Sequence, residues 1–266
     1  MTKNDPGPEF WSAIKPYTGN VSEFQRTSRG YSSDLTAIVE CETGPFFVKA
    51  MRNKPGGRRD QIERERLINP YVISVAPALR WYVDEGAWYV LGFEVVDGRC
   101  SLFNPGSPDE KEIVRSLSEI ADIRCPELAY AWPETRWNRF VASDEEARLI
   151  AGRSLLHSDI NPSNFLIGAS GTWVVDWAWP TMGAAFIDPA CLVVQLVASG
   201  HSAESAESWA SRCRSWTDAD PQAIDAFAAA TVRMHRSFVQ RNPDAAWLQA
   251  MADAAQAWAS YRGVPA

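Results

Sequence analysis

The chain has 266 residues and a formal net charge of −7 at pH 7, with 46% hydrophobic and 22% charged residues, as is typical of globular proteins. The acidic balance argues against a nucleic-acid partner, because nucleic-acid binding depends on neutralising phosphates. No apolar run reaches the roughly 18 residues that a membrane span needs, so a membrane partner is not expected either.

Cysteine and histidine are scattered along the sequence. The five cysteines show no CxxC spacing, and the three histidines are too dispersed to indicate a metal cluster. The first residues contain no apolar segment of the kind that directs secretion. We therefore expect a cytoplasmic protein with reduced thiols.

Residues 1–96 predict an antiparallel β-sheet lobe with one helix. Residues 1–20 are predicted to form an N-terminal arm or a short helix. Apolar or alternating segments separated by turns then predict five strands, at 21–26, 35–40, 45–51, 79–83 and 88–96. A charged, amphipathic stretch from Arg58 to Asn69 predicts the helix, which should end before Pro70.

Residues 97–266 predict a larger, mainly helical lobe. Ser107 and Ser143 are each followed three positions later by a glutamate, a capping pattern that predicts a helix start at each serine. Apolar periodicity predicts further helices at 189–199, 203–216, 221–240 and 245–261. The sequence as a whole thus predicts an α+β protein of two lobes.

Two residues of the first lobe stand out within apolar surroundings. Lys49 interrupts the third strand, and either faces solvent or is buried against a partner, since lysine is almost never buried unpaired. Glu65 lies between Ile62 and Ile68 on one helix face, with Glu63 as the alternative carboxylate. The polar turn around Gly30 can be an ordinary hairpin turn or can direct backbone N–H groups at a phosphate.

The stretch from Leu155 to Trp177 contains Asp159, Asn164 and Asp176 within a short run, each flanked by apolar residues. Asp159 lies five residues before Asn164, and Asp176 ends a short strand predicted at 172–175. Together with a strand at 164–167 and the Gly-Ala-Ser-Gly turn, this strand predicts a hairpin that returns Asp176 next to the preceding loop.

These residue types are those that phosphoryl transfer requires. Transfer to a hydroxyl needs a proton acceptor and a divalent metal to neutralise the polyphosphate. Magnesium prefers oxygen ligands and takes one or two carboxylates from a protein, so Asp176 and the amide oxygen of Asn164 suit it. Asp159 suits the role of proton acceptor.

The stretch also resembles a known family. His157 to Asn164, with the sequence HSDINPSN, resembles the H-G-D-x-x-x-x-N catalytic loop of the aminoglycoside phosphotransferase/choline kinase family, and Val174-Val175-Asp176-Trp177 resembles its I-D-W/F segment. The resemblance covers about residues 20–200. It implies a bilobal protein-kinase-like fold with Asp159 as catalytic base, Asn164 and Asp176 as Mg²⁺ ligands, and His157 as structural support.

The resemblance also assigns nucleotide-binding roles in the first lobe. It implies that Lys49 binds the α- and β-phosphates of ATP or GTP and that Glu65 holds its ammonium. It further implies that Glu94 and Val96 bind the nucleotide base through a backbone carbonyl and N–H. The phosphate-covering loop then corresponds to the turn at Gly30, Ser32 and Ser33. The sequence does not distinguish ATP from GTP.

Two positions depart from the family pattern. After Asp188-Pro189, Leu192 stands where the family pattern has a second aspartate that supports the catalytic loop. Whether Asp188 supports the loop instead is left open. Ser158 replaces the common glycine, and the backbone is expected to tolerate it. A protein kinase is not favoured, because the sequence has no GxGxxG, no arginine before Asp159 and no A-P-E segment.

The resemblance implies that the C-terminal helices, residues 189–266, bind the acceptor. From Gly200 to Ala266 seven acidic residues stand against six arginines, a balance that does not favour a polycationic acceptor. We expect a hydroxylated antibiotic or related secondary metabolite, phosphorylated for resistance or self-protection. A kinase of an amino sugar or amino alcohol is one alternative, and a non-catalytic nucleotide-binding regulator is another. The aromatic residues of the region either line the acceptor site or pack the helices.

Overall fold

The computed structural model describes residues 5–27 and 33–265. The chain forms two compact units. The first unit comprises residues 1–97 and 173–179, and the second comprises residues 98–172 and 180–266. The short segment from Trp173 to Trp179, which contains Asp176, is therefore part of the first unit although it lies between the two parts of the second unit in sequence.

The first unit is built on a five-stranded antiparallel sheet with the order β1-β2-β3-β5-β4. Its strands are β1 (Val21–Arg26), β2 (Leu35–Cys41), β3 (Phe46–Arg52), β4 (Leu79–Glu85) and β5 (Trp88–Glu94). Two helices belong to this unit, α1 (Pro8–Thr18) and α2 (Gly57–Val72). The antiparallel sheet predicted from the sequence is confirmed, and the N-terminal arm contains a helix.

Each face of the sheet has its own apolar core. Phe10 and Ile14 of α1 pack with Val48 and Ala50 of β3 and with neighbouring strands. On the other core, Ile62 packs with Met51 and with apolar residues of β5. Because successive side chains of a strand point to opposite faces, Lys49 shares the face of Met51 and is directed toward the side of α2.

Helix α2 continues past Pro70, contrary to the expected end before this proline. Pro70 lies in the last turn of α2, so its missing N–H removes a hydrogen bond only where the helix is about to end. Buried Ile68 and Val72 on either side of the proline keep this turn packed. Asn69 fixes the exit from the helix, since its side chain donates to Pro77 O and accepts from Leu79 N.

The second unit is mainly helical. Its longer helices are α3 (Glu110–Asp122), α5 (Ile187–Ala198), α6 (Ala203–Ala210), α8 (Pro221–Arg241) and α9 (Ala246–Tyr261), and α4 (Asp144–Leu149) and α7 (Arg214–Thr217) are short. Two 3-10 turns cover Glu127–Ala131 and Pro162–Asn164. Within the part of the chain that the structure describes, no helix is long and apolar enough to cross a membrane.

Small sheets accompany these helices. Strand β7 (Ser154–Leu156) pairs with β10 (Thr181–Gly183), and the order β6-β8-β9 joins β6 (Arg99–Cys100), β8 (Phe165–Gly168) and β9 (Gly171–Val174). Strands β8 and β9 are the two strands of the hairpin predicted within 155–177.

Helix starts follow the capping signals with one shift. Ser143 accepts a hydrogen bond from Glu146 N as predicted, whereas α3 begins after Asp109 rather than Ser107. Asp109 is held by a two-pronged ion pair with Arg99 and accepts from Leu102 N, and Ser107 accepts from Asp109 N. The serine therefore caps the turn before the helix.

The predicted helix at 203–216 is divided into α6 and α7 at Ser211 to Cys213. Around it, α5, α6 and α8 pack against α9, whose Trp258 is completely buried. Trp209 and Trp216 are also buried, and Trp258 donates to Glu207. These three tryptophans therefore pack the helices, whereas Trp247 and Tyr261 are exposed.

Candidate active site

Lys49 is the centre of a buried ion cluster in the first unit. Its Nζ lies 2.7 Å from Glu65 Oε2 and 2.5 Å from Asp176 Oδ1. The side chains of Lys49 and Glu65 are 5% and 6% exposed, so the lysine is paired and does not face solvent. The alternative carboxylate, Glu63, pairs instead with Arg59. Asp176 is 127 residues from Lys49 in sequence, and the fold brings the two together.

Glu65 reaches Lys49 because α2 buries a stripe that includes this one carboxylate. Ile62, Glu65 and Ile68 are all buried on the same helix face, at the i, i+3 and i+6 spacing. The backbone N–H of Trp177 also donates to the Glu65 carboxylate. The carboxylate is therefore fixed by both an ion pair and a backbone hydrogen bond.

The cluster places two carboxyl groups against one ammonium. Burial opposes the charge of Lys49, but Glu65 and Asp176 outweigh it and raise the pKa of Lys49, which remains an ammonium. Burial raises the pKa of Glu65, and the Lys49 ammonium opposes this rise. Asp176 is the accessible end of the cluster, since 30% of its side chain is exposed. Its φ of 63° is in the left-handed region, which aspartate tolerates better than most residues.

Asp159 is held by two asparagines in the second unit. Asn164 Nδ2 donates to Asp159 Oδ2 at 3.0 Å and to its backbone O at 2.8 Å. Asn161 Nδ2 donates to Asp159 Oδ1 at 3.2 Å, while Asn161 Oδ1 accepts from Ser163 N at 3.0 Å. Each carboxylate oxygen of Asp159 thus has an amide donor that fixes its orientation.

Asp188 supports the loop that carries Asp159. This carboxylate is buried in the first turn of α5 and accepts from the backbone N–H of His157 at 2.8 Å and of Ser158 at 2.9 Å. His157 is completely buried, and its Nδ1 accepts from Asp159 N at 3.3 Å. Leu192, one turn further along α5, is buried in the core. The missing aspartate at 192 therefore does not leave the loop without a carboxylate.

Ser158 adopts a conformation that explains why the family pattern has glycine there. Its φ is 68°, in the left-handed region. Its hydroxyl lies 2.5 Å from Thr181 Oγ1, and Thr181 donates to Glu134 Oε2 at 2.9 Å. The backbone does tolerate serine, within a set of polar contacts that no motif in the sequence indicated.

Each unit contains one side chain of the kind that binds magnesium. In the second unit, Asn164 donates its amide nitrogen to Asp159, which leaves its Oδ1 as a potential oxygen ligand. In the first unit, Asp176 is a partly exposed carboxylate. Among residues 5–27 and 33–265, no three His, Cys, Asp or Glu side chains are arranged to hold a metal by themselves. Such a site takes its remaining ligands from phosphate and water.

Three other predicted nucleotide-binding residues, Ser33, Glu94 and Val96, lie in or near strands of the first unit's sheet. Glu94 ends β5, where its side chain pairs with Arg80, and Val96 follows two residues later. Ser33 directly precedes Asp34, whose carboxylate accepts from Arg52 N and pairs with Arg58. Gly30 and Ser32 lie outside the described residues.

The sequence analysis missed Asn161, Thr181 and Glu134. Asn161 precedes Pro162, and an Asn-Pro pair signals a helix or turn start, so its capping role could have been inferred. Thr181 and Glu134 lie in no recognisable motif. They reach the loop only because β10 pairs with β7 and because Glu134 N bonds to Met182 O.

No protein-family model and no curated protein matches the sequence. Solved structures do match it. The microcompartment-associated aminopropanol kinase has a TM-score of 0.62 at 16% identity, covering 97% of this chain and 99% of that chain. Choline kinase LicA from Streptococcus pneumoniae has a TM-score of 0.59 at 14% identity, covering 95% and 98%.

An antibiotic kinase matches as well. The amicoumacin kinase hAmiN, solved with AMP-PNP, Ca²⁺ and Ami, has a TM-score of 0.54 at 11% identity, covering 89% of this chain and 88% of that chain. The TM-scores and the extent of coverage establish similarity of fold at these low identities. The chain has the protein-kinase-like fold of the choline kinases and aminoglycoside phosphotransferases, as the resemblance of residues 157–164 and 174–177 implied.

Proposed function

We propose that this protein transfers the γ-phosphate of a nucleoside triphosphate to a hydroxyl group of a small molecule, with Mg²⁺. The observation that carries the proposal is the ion cluster of Lys49 with Glu65 and Asp176. A buried lysine with two carboxylates is costly for a fold to maintain, and perturbed buried charges concentrate at functional sites. In a protein-kinase-like fold these three residues can serve to bind phosphates and a metal ion.

In the first unit, Lys49 binds the α- and β-phosphates, and Glu65 holds its ammonium in place. The raised pKa of Lys49 keeps it charged at neutral pH, so it presents a positive charge to the phosphates. Glu94 and Val96 bind the nucleotide base through backbone groups, and the turn containing Gly30, Ser32 and Ser33 covers the phosphates.

In the second unit, Asp159 accepts the proton of the acceptor hydroxyl while the oxygen of that hydroxyl attacks the γ-phosphate and displaces the nucleoside diphosphate. The amides of Asn161 and Asn164 orient its carboxylate, while His157 and Asp188 support the loop. Asn164 of this unit and Asp176 of the first unit are each proposed as magnesium ligands, and Mg²⁺ would neutralise charge on the polyphosphate. Positioning and charge neutralisation supply most of the rate enhancement in this chemistry.

The acceptor is a hydroxylated antibiotic or related metabolite of modest charge, and the activity serves resistance or self-protection in the cytoplasm. Several acidic side chains of the C-terminal region are already paired with arginines, so fewer of them can bind a cationic acceptor. Arg262 pairs with both Glu207 and Asp225, and Arg214 pairs with Asp218. These pairs support an acceptor less cationic than an aminoglycoside. The hAmiN structure contains AMP-PNP, Ca²⁺ and Ami together, which supports a nucleotide and a divalent metal as reaction partners.

A kinase of an amino alcohol is the second candidate, because the aminopropanol kinase and choline kinase structures match more closely than hAmiN. A non-catalytic nucleotide-binding regulator is the third. The presence of Lys49, Asp159, Asn164 and Asp176 together argues against it, since a protein without catalysis has no need of a base.

The test is a transfer assay with labelled nucleotide and three acceptor classes: hydroxylated antibiotics of modest charge, polycationic aminoglycosides, and amino alcohols. Asp159→Ala should lower turnover at least 10²-fold while leaving nucleotide binding nearly unchanged. Asp122→Ala, an exposed aspartate of the same unit, is the matched control. Unchanged turnover in Asp159→Ala would remove the base assignment, and exclusive use of polycationic acceptors would contradict the proposed acceptor class.

A further inference from the structure

Ser158 has a left-handed backbone conformation that is unfavourable for serine. It precedes Asp159, is 4% exposed, and has a φ of 68°. Residues that have a Cβ disfavour this left-handed region, because the Cβ approaches the following carbonyl oxygen. A serine at this position therefore requires contacts that hold it there.

The structure provides a chain of such contacts within the second unit. The Ser158 and Thr181 hydroxyl oxygens are 2.5 Å apart, and Thr181 Oγ1 donates to Glu134 Oε2 at 2.9 Å. A hydroxyl has one proton, so Thr181 cannot also donate to Ser158, and Ser158 must be the donor of the first bond. The chain runs in one direction, from Ser158 through Thr181 to Glu134.

Glu134 ends the chain as a fixed acceptor. Its carboxylate is buried and forms a two-pronged pair with Arg136, Nε to Oε1 at 3.0 Å and Nη2 to Oε2 at 2.7 Å. Arg136 N also donates to Oε1 at 2.8 Å. Burial would raise the pKa of Glu134, but its contacts with Arg136 outweigh this and lower the pKa. The carboxylate therefore stays ionised and keeps accepting from Thr181.

We infer that Ser158, Thr181 and Glu134 are positioning residues, which act by holding the backbone before Asp159 in its left-handed conformation. Asp188 accepts a hydrogen bond from the backbone N–H of Ser158, and Thr181 accepts one from its hydroxyl, so both backbone and side chain of Ser158 are held. The inference rests on the proposed function in one respect: the conformation matters for turnover because Asp159 is the base.

The decisive experiment compares Thr181→Val with the double variant Ser158→Gly/Thr181→Val. Thr181→Val removes the acceptor of the Ser158 hydroxyl, and kcat should fall about tenfold with KM for the nucleotide unchanged. Glycine takes a positive φ without steric cost, so Ser158→Gly should restore kcat in the Thr181→Val background. Ser158→Gly alone should be close to wild type.

Three further variants complete the design. Thr181→Ser keeps the hydroxyl and should retain kcat. Ser158→Ala removes the donor but leaves Thr181 on Glu134, so it should match Thr181→Val and replaces it if that variant does not fold. Thr172→Val is the matched control, because Thr172 donates to Glu112 Oε2 at 3.2 Å and Glu112 is paired with an arginine, Arg115. Its kcat should not change.

Full kcat in both Thr181→Val and Ser158→Ala, or no recovery in the double variant, would overturn the inference. Amide hydrogen exchange of residues 157–164 provides a readout independent of turnover. Exchange should rise in Thr181→Val and return to the wild-type level in the double variant. If the wild-type protein transfers phosphate to no acceptor, the proposed function fails, and the exchange data still decide whether the chain positions the loop.

Discussion

At the scale of single residues, Lys49 shows how an isolated charge becomes part of a site. It lies in an apolar strand beside Met51, and period-two alternation turns it toward α2. Glu65 meets it there because that carboxylate interrupts the buried stripe of the helix. From the sequence, Lys49 could either face solvent or be buried against a carboxylate. That carboxylate could be Glu65 or Glu63. The structure selects the buried pair with Glu65.

Lys49→Met should lower the free energy of unfolding by about 3 kcal/mol, because Glu65 remains buried without its counter-ion. Urea denaturation of the isolated protein measures this change. Lys49→Met/Glu65→Leu should recover most of the loss, since an apolar pair often replaces a buried ion pair without cost. Equal stability of the single variant and wild type would mean that the pair is not buried in solution.

At the scale of elements, close packing between neighbouring strands fixes positions that the sequence does not reveal. Gly92 of β5 lies against the Trp81 indole of β4, where a Cβ would overlap the ring. Within a strand pattern, a glycine can signal only that something approaches closely. The partner is supplied by the pairing of β4 with β5.

Gly92→Ala should destabilise the protein by about 2 kcal/mol, because Trp81 must move from a packed position. Gly57→Ala is the control. It lies at the start of α2, and a Cβ added there meets no atom of residues 5–27 or 33–265 within 4 Å. Urea midpoints of the two variants should separate them, and equal midpoints would contradict the close contact with Trp81.

Helix α8 contains a buried histidine that should make stability depend on pH. Burial lowers the pKa of His235 from 6.5 to about 4, and its Nδ1 has no hydrogen-bond partner in the described chain. The unfolded chain takes up a proton below pH 6.5 and the folded chain does not until about pH 4, so stability present above pH 6.5 is lost as the pH falls toward 4.

This histidine should lower the free energy of unfolding by about 2 kcal/mol between pH 7 and pH 5. Denaturation of wild type and His235→Leu at both pH values measures the effect. The variant should lack this part of the pH dependence, whatever its stability at pH 7. A pH dependence that is the same in both proteins would show that the pKa of His235 is the same in the folded and unfolded states.

At the scale of the whole molecule, ligand binding should be visible as stability. A ligand that binds only the folded state at about 100 times its Kd stabilises by about 2.7 kcal/mol. Mg-nucleotide should therefore raise the Tm, and Asp176→Asn should abolish the magnesium-dependent part while Lys49 keeps a neutral acceptor at position 176. Asp253→Asn, at an exposed position of α9, is the control and should leave the shift unchanged. A full magnesium-dependent shift in Asp176→Asn would exclude Asp176 as a ligand.

The sequence by itself determined the fold class and identified residues 157–164 and 174–177 as the segments that carry the candidate chemistry. Alternating segments predicted the sheet, and the spacing of Asp159, Asn164 and Asp176 pointed to phosphoryl transfer. Such signals depend on local periodicity and short spacing, which a sequence displays directly.

The tertiary structure decided the contacts between residues that are distant in sequence. It paired Lys49 with Asp176, placed Asp188 under the loop despite Leu192, and brought Thr181 and Glu134 to Ser158. It also carried α2 past Pro70 and buried three tryptophans that could have lined the acceptor site. Such contacts depend on strand pairing and helix packing across many residues, and no local pattern specifies them.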